Sequence, residues 1–227
     1  MRRPVHSACN GDGVRHAVEA PCAALEGNGA GLVRELELAR KVQRALERLY
    51  AVAPLDDVRE YVQPARNGRE ELLVRETRGV LEIAVHLPEL AKSEPLDVDG
   101  WCQVIEGVSH FVLLADRARE DRSVSRLELE LQAEVDKFVV LFSAMQMPSL
   151  ANGERLMHRL YDSVQFAHAE DTELGARYRQ ANGVARRWVA RTGLRFASPL
   201  DVGGFRAALR AFFRAPLEEK MHRALAA

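Results

Sequence analysis

Lysine is nearly missing from this chain of 227 residues, occurring only at 41, 92, 137 and 220. Arginine carries almost all the positive charge, and with the abundant alanine this points to a GC-rich bacterial coding bias. Cysteine is scarce as well. Cys9, Cys22 and Cys102 are an odd number and make no disulfide framework, so a reducing cytoplasm is the expected compartment. No run of about 18 apolar residues exists, which excludes a spanning helix. The opening MRRPVHSACNGDG has no apolar stretch and does not read as a secretory signal. The formal net charge is −1, so no global field draws the chain to nucleic acid or membrane.

Catalytic signatures are missing too. There is no G-x-S-x-G, no G-x-x-x-x-G-K-[ST] and no G-x-G-x-x-G. Nothing in the sequence names a cofactor or a metal, and the oligomeric state cannot be read from it.

What is present is an ordinary balance of 47% hydrophobic and 29% charged residues, enough to bury a real core. Residues 1–30 are rich in Gly, Ala, Asn and Pro and show no apolar period. They read as a flexible arm. His6, Cys9, His16 and Cys22 in this arm are zinc-ligand types, but their spacing fits no zinc pattern. Residues 31–227 read as a single α+β domain.

Within it, Leu32 to Ala51 is a predicted amphipathic helix. Leu32, Leu36, Ala39, Val42, Leu46, Leu49 and Tyr50 share one face, and Pro54 stops it. The period then changes. Leu81, Ile83, Val85 and Leu87 alternate with Glu82, Ala84 and His86, after Leu72–Glu76 and the turn Thr77-Arg78-Gly79. This predicts a small antiparallel β-hairpin sheet near residues 60–87, with Gly79 at positive φ and Glu60–Gln63 as a third strand. From about residue 99 the chain reads as a helical bundle. Its helices are expected at 101–119, from Ser123 or Ser125 to Pro148, at 154–169, at 172–192 with Gly193 closing it, and at 201–213 and 216–226.

The helix from Ser125 to Met145 carries two misplaced acids. On a projection of about 100° per residue, Glu134 falls at the edge of its apolar arc and Glu128 falls between Val135 and Val139. A carboxylate away from water needs a partner or a proton. His168 projects into the apolar arc of the 154–169 helix, and Tyr178 and Asn182 lie on or beside that of the 172–192 helix. These five residues are a candidate polar cluster. Glu134, His168 and Glu128 are the candidate catalytic or metal-binding groups. With no Glu-x-x-His, a di-iron bundle site is not expected, but one His and two Glu suit a single divalent ion. Glu106 and His110, four apart, are able to share a metal or a proton, though their projection away from the apolar face favours a solvated or second-interface pair.

Charge is uneven. Acids outnumber bases between 97 and 137, whereas the segment 175–214 is rich in arginine with Asp201 as its lone acid. Arg206, Arg210 and Arg214 make a stripe, with Arg187 on the preceding helix. The first functional expectation is a bacterial cytoplasmic protein-interaction or regulatory protein that meets a protein partner through this arginine-rich C-terminal face. The second is an enzyme with a buried Glu/His site. The third is nucleic-acid binding through the same arginines.

Overall fold

The computed structural model describes residues 17–20, 32–78, 80–90, 97–193 and 202–225. The sequence suggests one domain over 31–227, but contacts divide the chain into two compact units. The first contains the described residues up to Glu47 together with Val52–Val124. The second contains Arg48–Ala51 and the described residues from Ser125 onward. No shift in composition marks the boundary, because it falls in a short polar turn between two helices.

In the first unit, strand β1 (Ala17–Glu19) lies inside the segment expected to be an arm. The rest of 1–30, apart from Ala20, lies outside the described residues, and so do the ligand-type residues His6, Cys9, His16 and Cys22. Helix α1 (Val33–Tyr50) follows and buries Ala39, Val42 and Leu46 on its apolar stripe. Ala51, at φ 52°, turns the chain out of the helix in the left-handed conformation more usual for glycine. Gln43 on α1 is a buried clamp. Its Oε1 accepts from the Val58 N–H at 2.9 Å and its Nε2 donates to the Asp56 carbonyl at 2.8 Å, which fixes a 3₁₀ turn at Val58–Glu60.

The sheet corrects the expected antiparallel hairpin sheet. It has four strands: β1, β2 (Val62–Pro64), β3 (Glu71–Thr77) and β4 (Val80–Leu87). β1 and β2 both run parallel to β4, and β3 runs antiparallel to it. A strand has two edges. β3 takes one along nearly its whole length, from Thr77↔Val80 to Glu71↔His86, so β1 and β2 share the other at opposite ends of β4. Parallel partners need a long connection, and α1, β2 and β3 lie between β1 and its partner β4 in the chain. The expected third strand, Glu60–Gln63, is met in part by β2 at Val62 and Gln63, whereas β1, with three residues, is too short to show a period. β4 is buried continuously from Ile83 to Leu87, so the alternation read there has no solvated face. The left-handed turn residue is Arg78 (φ 54°); Gly79 lies outside the described residues.

Helix α2 (Val98–Arg119) begins three residues before the expected start, with Asp97 accepting from the Gly100 N–H at 2.7 Å. It packs against the sheet, with the Phe111 and Tyr61 rings 4.8 Å apart.

The second unit is a bundle of α3 (Arg126–Ser143), α4 (Leu150–Met157), α5 (Glu173–Trp188), α6 (Val202–Arg214) and α7 (Leu217–Leu225). Ser125 caps α3, Ser149 caps α4 and Thr172 caps α5, each accepting from the N–H three residues on. α4 widens into a π turn, His158–Asp162, and ends there. The helix expected over 154–169 therefore starts earlier and stops earlier. α5 also ends in a π turn, Val189–Gly193. Ring pairs fill the core: Tyr50 stacks on Phe213 at 4.3 Å, Trp188 meets Phe212 at 4.6 Å, and Phe138 stacks on Phe142 at 5.5 Å. Among the described residues the fold is thus α+β with seven α-helices, and none of them is long and apolar enough to cross a membrane.

Candidate functional site

The polar residues singled out in the bundle do not form one cluster. Glu128 is buried with Lys220, whose Nζ is 3.3 Å from its Oε1. Glu134 pairs with Lys137 at 2.8 Å on its own helix. His168 is exposed, because the helix meant to carry it has ended, and its ring stacks on Tyr178 at 5.9 Å. Asn182 is buried and donates to the Leu160 carbonyl at 3.3 Å.

Instead, Glu128 belongs to a buried network that the sequence did not reveal. Lys220 also donates to Gln132 Oε1 at 3.0 Å. Gln132 Nε2 donates to the Tyr50 hydroxyl at 3.1 Å and to Asp136 Oδ1 at 3.0 Å. The Tyr50 hydroxyl donates to Asp136. Burial and the neighbouring Asp136 charge push the Tyr50 phenol well above its ordinary value, so it remains a donor. The cation and both carboxylates each have hydrogen-bonding or ionic partners. The network fixes α3 against α7 and the last turn of α1, all within the second unit.

The first unit holds a different arrangement. Gln103, Gly107 and His110 follow one stripe of α2 at i, i+4 and i+7. Gln103 Oε1 accepts from the Glu70 N–H at 3.2 Å. A Cβ at Gly107 would stand 3.1 Å from Glu70 Cγ and 2.9 Å from Val85 Cγ1, so only glycine lets the Glu70 stem and β4 come this close. The Glu70 carboxylate then reaches His110, with Oε1 3.5 Å from Nδ1. Both side chains are buried, at 7% and 6% exposure. Glu106, one turn before His110 and partly exposed, brings a carboxylate oxygen within 4.8 Å of the imidazole. The imidazole thus has the Glu70 carboxylate at Nδ1 and a Glu106 oxygen within reach of the ring.

Of the two alternatives that the projection of α2 favours, a solvated or a second-interface pair, the burial of His110 excludes the solvated one. The signal lies in the length of apolar sequence from Val104 to Ala115: a helix that is hydrophobic nearly all round is buried on more than one side. Glu70 carries no such signal, because it precedes β3 in a polar loop.

The arginines fall into two groups. Arg210 donates its Nε–H to the Leu49 carbonyl at 3.0 Å and is half-buried. Arg187, Arg206 and Arg214 are exposed. α6 turns Leu209, Phe212 and Phe213 inward, which puts Arg206 and Arg214 outside.

Comparison with protein-family models, with curated proteins and with solved structures found no match to this chain.

Proposed function

We propose that the chain is a bacterial cytoplasmic enzyme with a mononuclear divalent-metal site in its first unit, with His110 and Glu106 as protein ligands and Glu70 as the carboxylate that orients the imidazole. The observation that carries this reading is the buried imidazole of His110, with Glu70 Oε1 3.5 Å from its Nδ1 and a Glu106 carboxylate oxygen within 4.8 Å. One nitrogen and one oxygen leave coordination positions for water, as metal-assisted hydrolysis needs. His110 and Glu106 share α2, so both ligands sit on a rigid element.

Elemental analysis of natively purified, untagged protein tests it. The expected result is near-stoichiometric zinc, iron or manganese that His110→Ala and Glu106→Gln both lose while retaining their circular dichroism. Metal-free protein that takes up no added ion would overturn the reading.

A second reading keeps the arginine-rich face as a docking surface for an acidic protein partner. It is favoured by Arg187 and Arg206, which among the described residues are exposed and make no ion pair. Reversing Arg187, Arg206 and Arg214 to Glu is expected to release a co-purifying partner. Binding to random duplex DNA that weakens steeply with salt would turn this reading toward nucleic acid instead.

A further inference from the structure

We infer that the π turn after α4 builds a second chemical centre, an acyl-transfer site with Ser163 as nucleophile, His158 as base and Asp162 as its orienting carboxylate. It lies wholly in the second unit and is independent of the proposed metal site.

The geometry starts from the backbone. The Ser163 N–H donates to the His158 carbonyl at 3.0 Å, an i to i+5 bond that widens the helix by one residue. This widening brings both residues 162 and 163 over residue 158. Ser163 Oγ is 3.1 Å from His158 Nε2, and Asp162 Oδ2 is 3.4 Å from His158 Nδ1. The two ring nitrogens therefore have different neighbours. A carboxylate at Nδ1 selects the tautomer with its proton there, which leaves Nε2 as the acceptor facing the hydroxyl.

Asp162 is itself fixed. Arg186 Nε donates to its other oxygen at 2.6 Å, and this hydrogen bond keeps the carboxyl below its ordinary range. One oxygen is thus anchored to α5 while the other orients the imidazole. His158 also lines an open surface depression with Ala151, Glu154 and Arg155. Arg155, held by Asn152 Oδ1, is a cation of that depression. Nucleophile, base and orienting group stand together, and the base borders the concave surface.

The substrate class is a small ester open to solvent. Ser163 Oγ attacks the carbonyl carbon while its proton passes to Nε2. The bond to the leaving oxygen breaks, and Nε2 returns that proton to it, giving the alcohol and an acyl-Ser163. Water then attacks the acyl carbon, gives a proton to Nε2 and releases the acid as Ser163 regains its own. Asp162 remains a carboxylate throughout.

The test uses the full chain with p-nitrophenyl acetate and with a fluorophosphonate probe read by mass spectrometry. The expected result is a fluorophosphonate adduct on the peptide containing Ser163, absent from Ser163→Ala. Hydrolysis should fall about a hundredfold in both Ser163→Ala and His158→Ala, the usual worth of a positioned base. A chelator should leave both readouts unchanged, which separates this site from the metal reading. All of these side chains are exposed apart from Asp162 and Arg186, which are partly so, and the variants should fold. An adduct elsewhere, no adduct, or Ser163→Ala hydrolysing ester at the wild-type rate overturns the proposal.

Discussion

Lys220 Nζ stands 3.3 Å from Glu128 Oε1, and the lysine is 0% exposed. One of only a few lysines in the chain is thus buried in the bundle opposite the acid that its helix projection marked as misplaced. Removing one member of a buried pair strands the other charge and costs about 3–5 kcal/mol. Lys220→Met should therefore lower the denaturant midpoint strongly, since it leaves both Glu128 and Gln132 without their donor. Glu128→Gln should cost less, because its amide oxygen still accepts from the ammonium. A double variant, Glu128→Leu with Lys220→Met, should recover part of the loss. Equilibrium urea unfolding of the three proteins checks the order, and a Lys220→Met protein as stable as wild type would show the pair to be idle.

The tyrosines set the alkaline limit. Burial first, and then the Asp136 charge, raise the Tyr50 phenol. Burial and Asp56 push Tyr61 up to about 12. In the unfolded chain both ionise near pH 10. Above about pH 10 the unfolded state therefore binds fewer protons than the native one, and stability falls as pH rises toward 12. Below pH 10 neither contributes any slope. The chain has four tyrosines. Absorbance at 295 nm should show Tyr50 and Tyr61 titrating late, joining the others only as the protein unfolds. Phenolate appearing from all four in one step near pH 10, with the fold intact, would contradict this.

Much of the helical half was legible because its signals are local. Ser125, Thr172 and Asp97 cap the helices they mark, and α1 buries the stripe its period predicts. The sheet was less legible. β1 and β2 are each three residues long, and their parallel pairing depends on a crossover that no short window contains. The site was least legible. Glu128 stands out on a helical wheel, but its partner Lys220 is far along the chain, on α7. Projection also assumes that the helix continues. At His168 it has already stopped, so a residue read as buried is exposed. At His110 projection left a solvated and a second-interface reading open, and the residue is buried because that face of α2 is covered too.

At Gly107, α2 passes close to the sheet. An added Cβ would stand 2.9 Å from Val85 Cγ1 and 3.1 Å from Leu87 Cδ2. Overpacking costs about 1–3 kcal/mol, while replacing glycine by alanine inside a helix returns about 1 kcal/mol. Gly107→Ala should therefore be mildly destabilising, by about 0–2 kcal/mol, and Gly107→Val clearly more so. The same Cβ presses on Glu70 Cγ at 3.1 Å. Metal retained by Gly107→Ala should thus fall before its helix content does, if Glu70 orients His110 as a ligand. Thermal melts by circular dichroism beside elemental analysis measure both effects on the same samples.

Asp57 governs an acid-side response. It caps the 3₁₀ turn at Val58–Glu60 and its Oδ2 is 2.8 Å from Arg59 Nη2, with Arg40 at 3.7 Å. The hydrogen bond from Arg59 holds its carboxyl below the ordinary range, against some desolvation. A depressed folded value means that the contribution is present above the unfolded value, about pH 4, and is lost as pH falls through the folded one. Asp57→Asn keeps an acceptor for the cap but carries no charge. The stability gap between wild type and Asp57→Asn should be constant from pH 5 to 7 and shrink below about pH 4. It should also narrow in high salt, since the group is partly exposed and the ion pairs are screened. Urea midpoints at several pH values measure the gap, and a gap that widens on acidification would mean that Asp57 is not the group stabilised by Arg59.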